Sequence, residues 1–185
     1  VNESAITAIS DTDAASDYVL ENSANGSVAG VTAFASDADG TDTVSYSLDD
    51  TASGRFTIDG VTGIVTVAGA IDREAAGTYS ITVRATSTDT STVTRVFTIT
   101  IGDVDEFAVT SPADTDATAN TVNENAANGT TVGITVVASD ADATTNTVTY
   151  SLTDNAGGRF GINATTGVVT VADGTLLDRE TAVSH

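Results

Sequence analysis

The chain has 185 residues, 26 acidic against 6 basic side chains, a formal net charge of −20 and 40% hydrophobic residues, with one proline and no cysteine, methionine or tryptophan. Acidity of this degree without a basic patch argues against nucleic acid as a partner, because its phosphates would be repelled. The lack of cysteine removes disulfides and thiolate metal sites, and no apolar run reaches the roughly 20 residues of a membrane helix.

The remaining composition is that of a β protein. Thr occurs 35 times and Val 22 times, both of them strand formers, and Gly and Asn-Gly clusters interrupt them at short intervals. No capped stretch of helical period competes. In chain order the alternation predicts seven strands. A runs over Ala5–Ile9 and resumes near Tyr18–Leu20, B is Val28–Ala35, C is Thr43–Leu48, and D is Phe56–Asp59. E is Ile64–Val67, F is Thr78–Ala85, and G is Val93–Ile101. Val44, Tyr46 and Leu48 share one face, as do Tyr79, Ile81, Val83 and Ala85, and Phe97, Ile99 and Ile101; these are the expected core. Asn25-Gly26 and Asp39-Gly40 read as turns.

The pattern then repeats. Asp11-Thr12-Asp13 returns as Asp114-Thr115-Asp116, Glu21-Asn22 as Glu124-Asn125, and Ala35–Asp39 as Ala138–Asp142, all at a spacing of 103 residues. The spacing grows to 104 at Tyr46/Tyr150 and to 106 at Asp72-Arg73-Glu74/Asp178-Arg179-Glu180, as loop insertions would cause. A period of this length is one immunoglobulin-sized sandwich. The expected fold is therefore all-β, with tandem Ig-like Greek-key sandwiches over residues 1–103 and 104–185. The second is truncated before strands F and G, and is expected to be unstable alone because a sheet edge is left open.

Alternating strand directions sort the acids by pole. Glu21, Asp72, Glu74, Asp103, Asp105 and Glu106 fall at the exit pole of the first repeat, and Asp140 and Asp142 at the entry pole of the second. These are eight carboxylates, like charges that repel one another. An all-oxygen set without His or Cys nearby is what Ca²⁺ prefers. Asp11, Asp13, Asp114 and Asp116, where strand A breaks, read as polar loops rather than ion sites. Arg73 and Arg179 read as surface ion pairs.

These motifs, in order, carry a family likeness. They are Leu20-Glu21-Asn22, Asp37-Ala38-Asp39, the Tyr-Ser-Leu of strand C, Phe56–Gly63, Asp72-Arg73-Glu74, Val83-Arg84-Ala85 and Asp103-Val104-Asp105-Glu106-Phe107. The chain resembles a tandem pair of cadherin domains of the bacterial surface-adhesin type. The resemblance implies calcium ions between successive domains, with Glu21, Asp72 and Glu74 as ligands from the upper domain. Asp103, Asp105, Glu106 and the Phe107 carbonyl would come from the linker, and Asp140 and Asp142 from the lower domain. Asn2 with Asp37 and Asp39 would form half of a preceding junction, and Glu124, Asp178 and Glu180 half of a following one. The family aspartate of the V-x-A-x-D motif falls at Ser87, with Asp89 two residues on.

The implied function is a non-enzymatic, calcium-rigidified module of an extracellular, cell-surface adhesin, with neighbouring repeats as its partners and a cell-surface or polysaccharide ligand beyond them. The alternative is a carbohydrate-binding or spacer module of a secreted polysaccharide-active enzyme, which predicts an exposed aromatic strip on one sheet. Core packing is instead expected, because three of Tyr18, Tyr46, Tyr79 and Tyr150 fall on predicted inward faces or strand C. His185 is the single histidine, so no His-based acid–base chemistry is expected.

Overall fold

A computed structural model describes residues 5–39, 41–181 and 184. The chain divides into two compact units, Val1–Val104 and Asp105–His185. The fold is all-β, as the alternation requires.

The first unit has eight strands: β1 (Ser10–Asp11), β2 (Tyr18–Leu20), β3 (Val28–Phe34), β4 (Val44–Asp50), β5 (Phe56–Ile58), β6 (Ile64–Val67), β7 (Thr78–Ser87) and β8 (Thr92–Gly102). They form two four-stranded sheets, in the orders β1-β3-β6-β5 and β2-β8-β7-β4. Strands B to G lie where alternation puts them, with β4, β7 and β8 each running one or two residues further than expected. Strand A differs. Residues 5–9 form no ladder, and pairing with β3 is confined to Ser10↔Phe34 and Asp11↔Ala33, flanked by single bonds from the Thr7 amide to the Ser36 carbonyl and from Thr12 to Thr32. The chain then changes sheets, and β2 runs parallel to β8, with Val19 opposite Ile101.

The crossover is close to β3. A Cβ on Gly30 would stand 2.1 Å from the Ser16 carbonyl oxygen, and the β3–β6 register shifts at the same place, between Val28 and Thr32. Gly133 meets Ala119 in the same way in the second unit.

Side chains from both sheets form one core. Val19, Ala29, Val31, Phe56, Val65, Val67, Ile81, Val83, Ile99 and Ile101 are buried, with Val44, Tyr46, Leu48 and Tyr79 packed against them. Each aliphatic or aromatic side chain so buried contributes about 1.5–3 kcal/mol. Phe56 meets the Tyr79 ring edge-on at 6.3 Å, and the Arg55 guanidinium stacks on the same ring at 4.6 Å. Tyr18, on β2, is 45% exposed.

Tyr46 also carries a polar bond: its hydroxyl accepts from the Ala35 amide at 3.0 Å and donates to the Ala35 carbonyl at 3.4 Å. Tyr150 repeats this with Ala138 at the same distances. Because Ala35 is buried, Tyr46→Phe leaves its amide without that acceptor. A loss of about 1–2 kcal/mol is expected, measured by denaturant unfolding of the first unit.

The second unit shows β9 (Ala113–Asp114), β10 (Thr131–Val137), β11 (Phe160–Ile162) and β12 (Val168–Val171), then a short 3₁₀ turn, Gly174–Leu176, capped by Asp173. These strands form one sheet, β11-β12-β10-β9, the counterpart of the first sheet of unit one. Among the described residues no strand corresponds to β7 or β8. The stretch 148–152, equivalent to β4, is accordingly not in a ladder, since β4 in the first unit pairs with β7. The core is smaller, with Val132, Val169, Val171 and Leu177 buried. Phe160, equivalent to the fully buried Phe56, is only half-buried and lines a cleft of about 670 Å³ with Val122 and Leu177.

Candidate metal centre

At the exit pole of the first unit, three chain segments are tied together by one side chain. Glu21 follows β2 directly, and its amide extends the β2–β8 pairing by donating to the Gly102 carbonyl at 3.0 Å. That register turns its carboxylate inward, where it is 2% exposed. One oxygen, Oε2, accepts the Arg73 amide at 2.6 Å, and the other, Oε1, accepts the Val104 amide at 2.8 Å. Both are charge-assisted bonds. They fix the β6–β7 loop and the end of β8 around Glu21.

Carboxylate oxygens of Glu21, Glu74 and Asp103 then lie within 4.8 Å of one another. Ca²⁺–oxygen distances are roughly 2.3–2.6 Å, so oxygens at this separation are close enough to touch one such ion. The donors are all hard and anionic, which fits calcium and suits neither copper nor thiolate-bound zinc. The adjacent Arg73 guanidinium donates to the carbonyls of Gly77 at 2.9 Å and Ile101 at 3.1 Å. The surface ion pair expected of Arg73 is thus replaced by a cross-link between the β6–β7 loop and β8. Arg84 and Asp49 form an ion pair. Asp72 stands apart from the group; its Oδ1 accepts the Ala75 amide at 3.0 Å and caps the loop.

At the entry pole the structure gathers Asp37, Asp42 and Asp89, again within 4.8 Å. Asp37 Oδ1 accepts the Asp39 amide at 3.1 Å, while its Oδ2 is buried and accepts no hydrogen bond. Asp39 is outside this group. Asp42, which the sequence did not single out, is held by the Thr88 hydroxyl at 2.8 Å. The β3–β4 loop meets the β7–β8 turn there, and the turn delivers Asp89. Ser87, at the family aspartate position, is buried and not part of the group. Asn2 lies outside the described residues.

In the second unit Asp142 is 1% exposed and accepts the Glu106 amide at 3.0 Å and the Phe107 amide at 3.3 Å. Asp140 accepts the Asp142 amide at 3.2 Å. The residues 105–107 thus meet Asp142 through backbone donors, while the side chains of Asp105 and Glu106 are exposed.

A further acidic group, Glu124, Asp178 and Glu180, lies within 4.8 Å at the surface of this unit. Glu124 Oε2 accepts the Arg179 amide at 3.1 Å, the counterpart of the Glu21–Arg73 bond. Hydrogen bonds from the Thr181 hydroxyl and amide hold Asp178 below the usual carboxylate range. For Glu180 its own amide pulls downward, but side-chain hydrogen bonding with Glu124 and Asp178, the charge of Glu124 and burial outweigh it and push the group up.

The cadherin-domain family model matches residues 17–102 and 118–185. The chain belongs to the cadherin domain family. Curated relatives include human protocadherin Fat 1, 36% identical over 130 residues, which is 69% of this chain and 3% of that protein. Another is mouse cadherin EGF LAG seven-pass G-type receptor 1, 33% identical over 141 residues, 74% of this chain and 4% of that protein. The chain therefore spans only a few hundredths of their length. Among solved structures, mouse cadherin-23 EC22-24 superposes with a TM-score of 0.75 at 26% identity, covering 97% of this chain and 57% of that one. The extracellular cadherin domains 3-6 of protocadherin gamma B2 give 0.74 at 22% identity over 94% and 44%, a likeness of fold. These tandem cadherin domains contain no helix, among the described residues, long and apolar enough to cross a membrane.

Proposed function

We propose that the chain is a calcium-binding segment of an extracellular adhesion protein, in which ions held at the poles of successive cadherin domains stiffen the array. The observation that carries this reading is the meeting of Glu21, Glu74 and Asp103 within 4.8 Å, with the neighbouring guanidinium bonded to backbone carbonyls. Each repeat, residues 1–103 and 104–185, is one cadherin domain in this reading. The linker acids Asp105 and Glu106, with Asp140 and Asp142, complete the ligand set implied by the family motifs; Asp72, Asp37 and Asp39 are ligands on the same ground. A bacterial surface setting rests on composition, with no lysine or cysteine and abundant Asp and Thr.

Bound calcium would supply positive charge at a point where three carboxylates meet. The chain's own part is positional. Glu21 anchors two backbone segments, and Glu74 and Asp103 project from those same segments. Because the unfolded chain has no assembled site, binding adds to the stability of the fold. The affinities typical of extracellular modules, on the order of 10⁻⁴ to 10⁻³ M, suffice at millimolar calcium.

The carbohydrate-binding alternative has less support. Tyr18 and Phe34 are exposed but stand on strands of different sheets, β2 and β3, which is not the strip on one sheet that it predicts.

The test compares chelator with about 1 mM CaCl₂, following the melting temperature and the small-angle scattering of the whole chain. With a Kd near 10⁻⁴ M, one site stabilises by about 1.4 kcal/mol, a rise of several degrees. The scattering should report a narrower distribution of inter-unit distances. Identical melting and identical scattering in the two buffers would sink the proposal.

A further inference from the structure

Arg73 lies between two acids in sequence, yet its guanidinium is bonded to backbone. One nitrogen, Nη1, donates to the Gly77 carbonyl at 2.9 Å and to the Ile101 carbonyl at 3.1 Å. Both hydrogens of that nitrogen are thereby used, one on the β6–β7 loop and one on β8. The Gly77 carbonyl also accepts the Ile101 amide at 3.0 Å, so loop, guanidinium and strand close a small ring. Hydrogen bonds from a charged donor are the stronger kind.

A glycine makes room for this ring. A Cβ on Gly77 would stand 2.3 Å from Arg73 Nη1, 2.9 Å from Cζ and 3.4 Å from Nη2, and these are the three nearest atoms it would meet. Gly77 is not among the glycines of positive φ. What it supplies is space for the guanidinium rather than a left-handed turn.

The ring bears on the acids to either side of it. Glu74 follows Arg73 directly, and Asp103 lies two residues beyond Ile101. These are the two carboxylates that meet Glu21 within 4.8 Å, and the Arg73 amide is itself fixed on Glu21 Oε2. In the second unit Asp178-Arg179-Glu180 repeats the tripeptide, and no described strand corresponds to β8. The group formed there is a different one, taking in Asp178 together with Glu180. The tripeptide alone therefore does not decide which acids meet.

We propose that Arg73 is a positioning residue of the exit-pole calcium site, setting the spacing of Glu74 and Asp103 through the backbone; this rests on the calcium reading above. Charge and position make opposite predictions. A positive side chain beside a cation site opposes binding, so an arginine acting only by its charge should bind calcium more tightly once neutralised. An arginine that sets the ligand spacing should bind it more weakly, because groups that orient metal ligands typically carry 10–100-fold in affinity.

The experiment is an amide NMR titration of the whole, metal-free chain with CaCl₂, on wild type, Arg73→Gln and Gly77→Ala. The Val104 amide ends on Glu21 Oε1 at 2.8 Å and reads the exit pole. The Ser91 amide ends on Asp89 Oδ1 at 2.7 Å and reads the entry-pole group. Arg73→Gln should raise the Kd read at Val104 by about tenfold or more. Gly77→Ala keeps the charge and displaces only the end of a flexible side chain, so it should fold and raise the same Kd. Ser91 should respond in both variants as in wild type. A Kd at Val104 that falls or stays unchanged in Arg73→Gln, or stays unchanged in Gly77→Ala, overturns the positioning role and leaves the calcium reading standing. An equal weakening at Ser91 overturns it too, since it marks a general loss of structure. A wild-type Val104 amide that ignores calcium overturns the calcium reading and this inference with it. Gly77→Ala decides even where Arg73→Gln fails to fold.

Discussion

Replacing Glu21 with alanine is expected to destabilise the first unit by about 3 kcal/mol and to abolish its stabilisation by calcium. The magnitude follows from the two amides it holds. The Arg73 and Val104 N–H groups end on the two oxygens of a side chain that is 2% exposed. Removing the carboxylate leaves both donors without their acceptor, each costing about 1–3 kcal/mol. For a domain of this size that is a fall in melting temperature of about 12 °C or more. Glu21→Gln divides the two roles of the residue. The glutamine carbonyl still accepts one amide, so the structural cost falls to about half, but the charge is gone and the calcium response should go with it. Denaturant unfolding of wild type, Glu21→Ala and Glu21→Gln, each in chelator and in calcium, measures both quantities. A full calcium response in Glu21→Gln would mean that the ion is held elsewhere.

That dual role marks how far the sequence could be read. Strands B to G were legible because alternation is a local property. The Ile81, Val83, Ala85 series and the Phe97, Ile99, Ile101 series are buried in full. Strand A was less so, because its pairing depends on partners elsewhere. The Ala5–Ile9 segment has apolar residues in suitable places, yet β3 pairs only with the two residues that follow it. The parallel register of β2 on β8 is set across some 80 residues of chain, and no local pattern encodes it.

The acidic positions follow the same division. Their motif order marked Glu21 and Glu74 together, and the fold brings both to one pole with Asp103. Which acids turn inward was not legible. Asp72 caps its own loop instead of joining the group, and Asp42 joins Asp37 and Asp89 because the Thr88 hydroxyl in the β7–β8 turn draws it in. Arg73 shows the same limit from the basic side. Its neighbours in sequence are acids, which suggested ion pairs, while its neighbours in space include the carbonyls of Gly77, just before β7, and Ile101, near the end of β8.

Gly63→Ala is expected to have an effect at least as large as the loss of Glu21, and to prevent stable folding of the first unit. Gly63 turns the β5–β6 hairpin with φ near +72°, and a Cβ there would lie 2.1 Å from the Ala33 carbonyl oxygen and 3.1 Å from its carbon. Those atoms are backbone in the central strand β3, so no side chain is available to move aside. The same glycine carbonyl accepts the Ala33 amide at 2.9 Å, and its amide donates to the Asp59 carbonyl at 3.0 Å. Separating the chains enough to admit a methyl group therefore breaks a buried bond as well as opening the β3–β6 contact. The left-handed backbone alone costs a non-glycine residue about 1–2 kcal/mol; the clash and the lost hydrogen bond bring the total to roughly 4 kcal/mol or more. Gly54→Ala is the control: it too has positive φ, but nothing lies within 4 Å of its added Cβ, so only the backbone cost applies. Unfolding curves should then show Gly54→Ala still cooperative and less stable by about 1–2 kcal/mol, and Gly63→Ala without a cooperative transition for the first unit. Equal, small losses in the two variants would show that β3 and the hairpin are not pressed together as described.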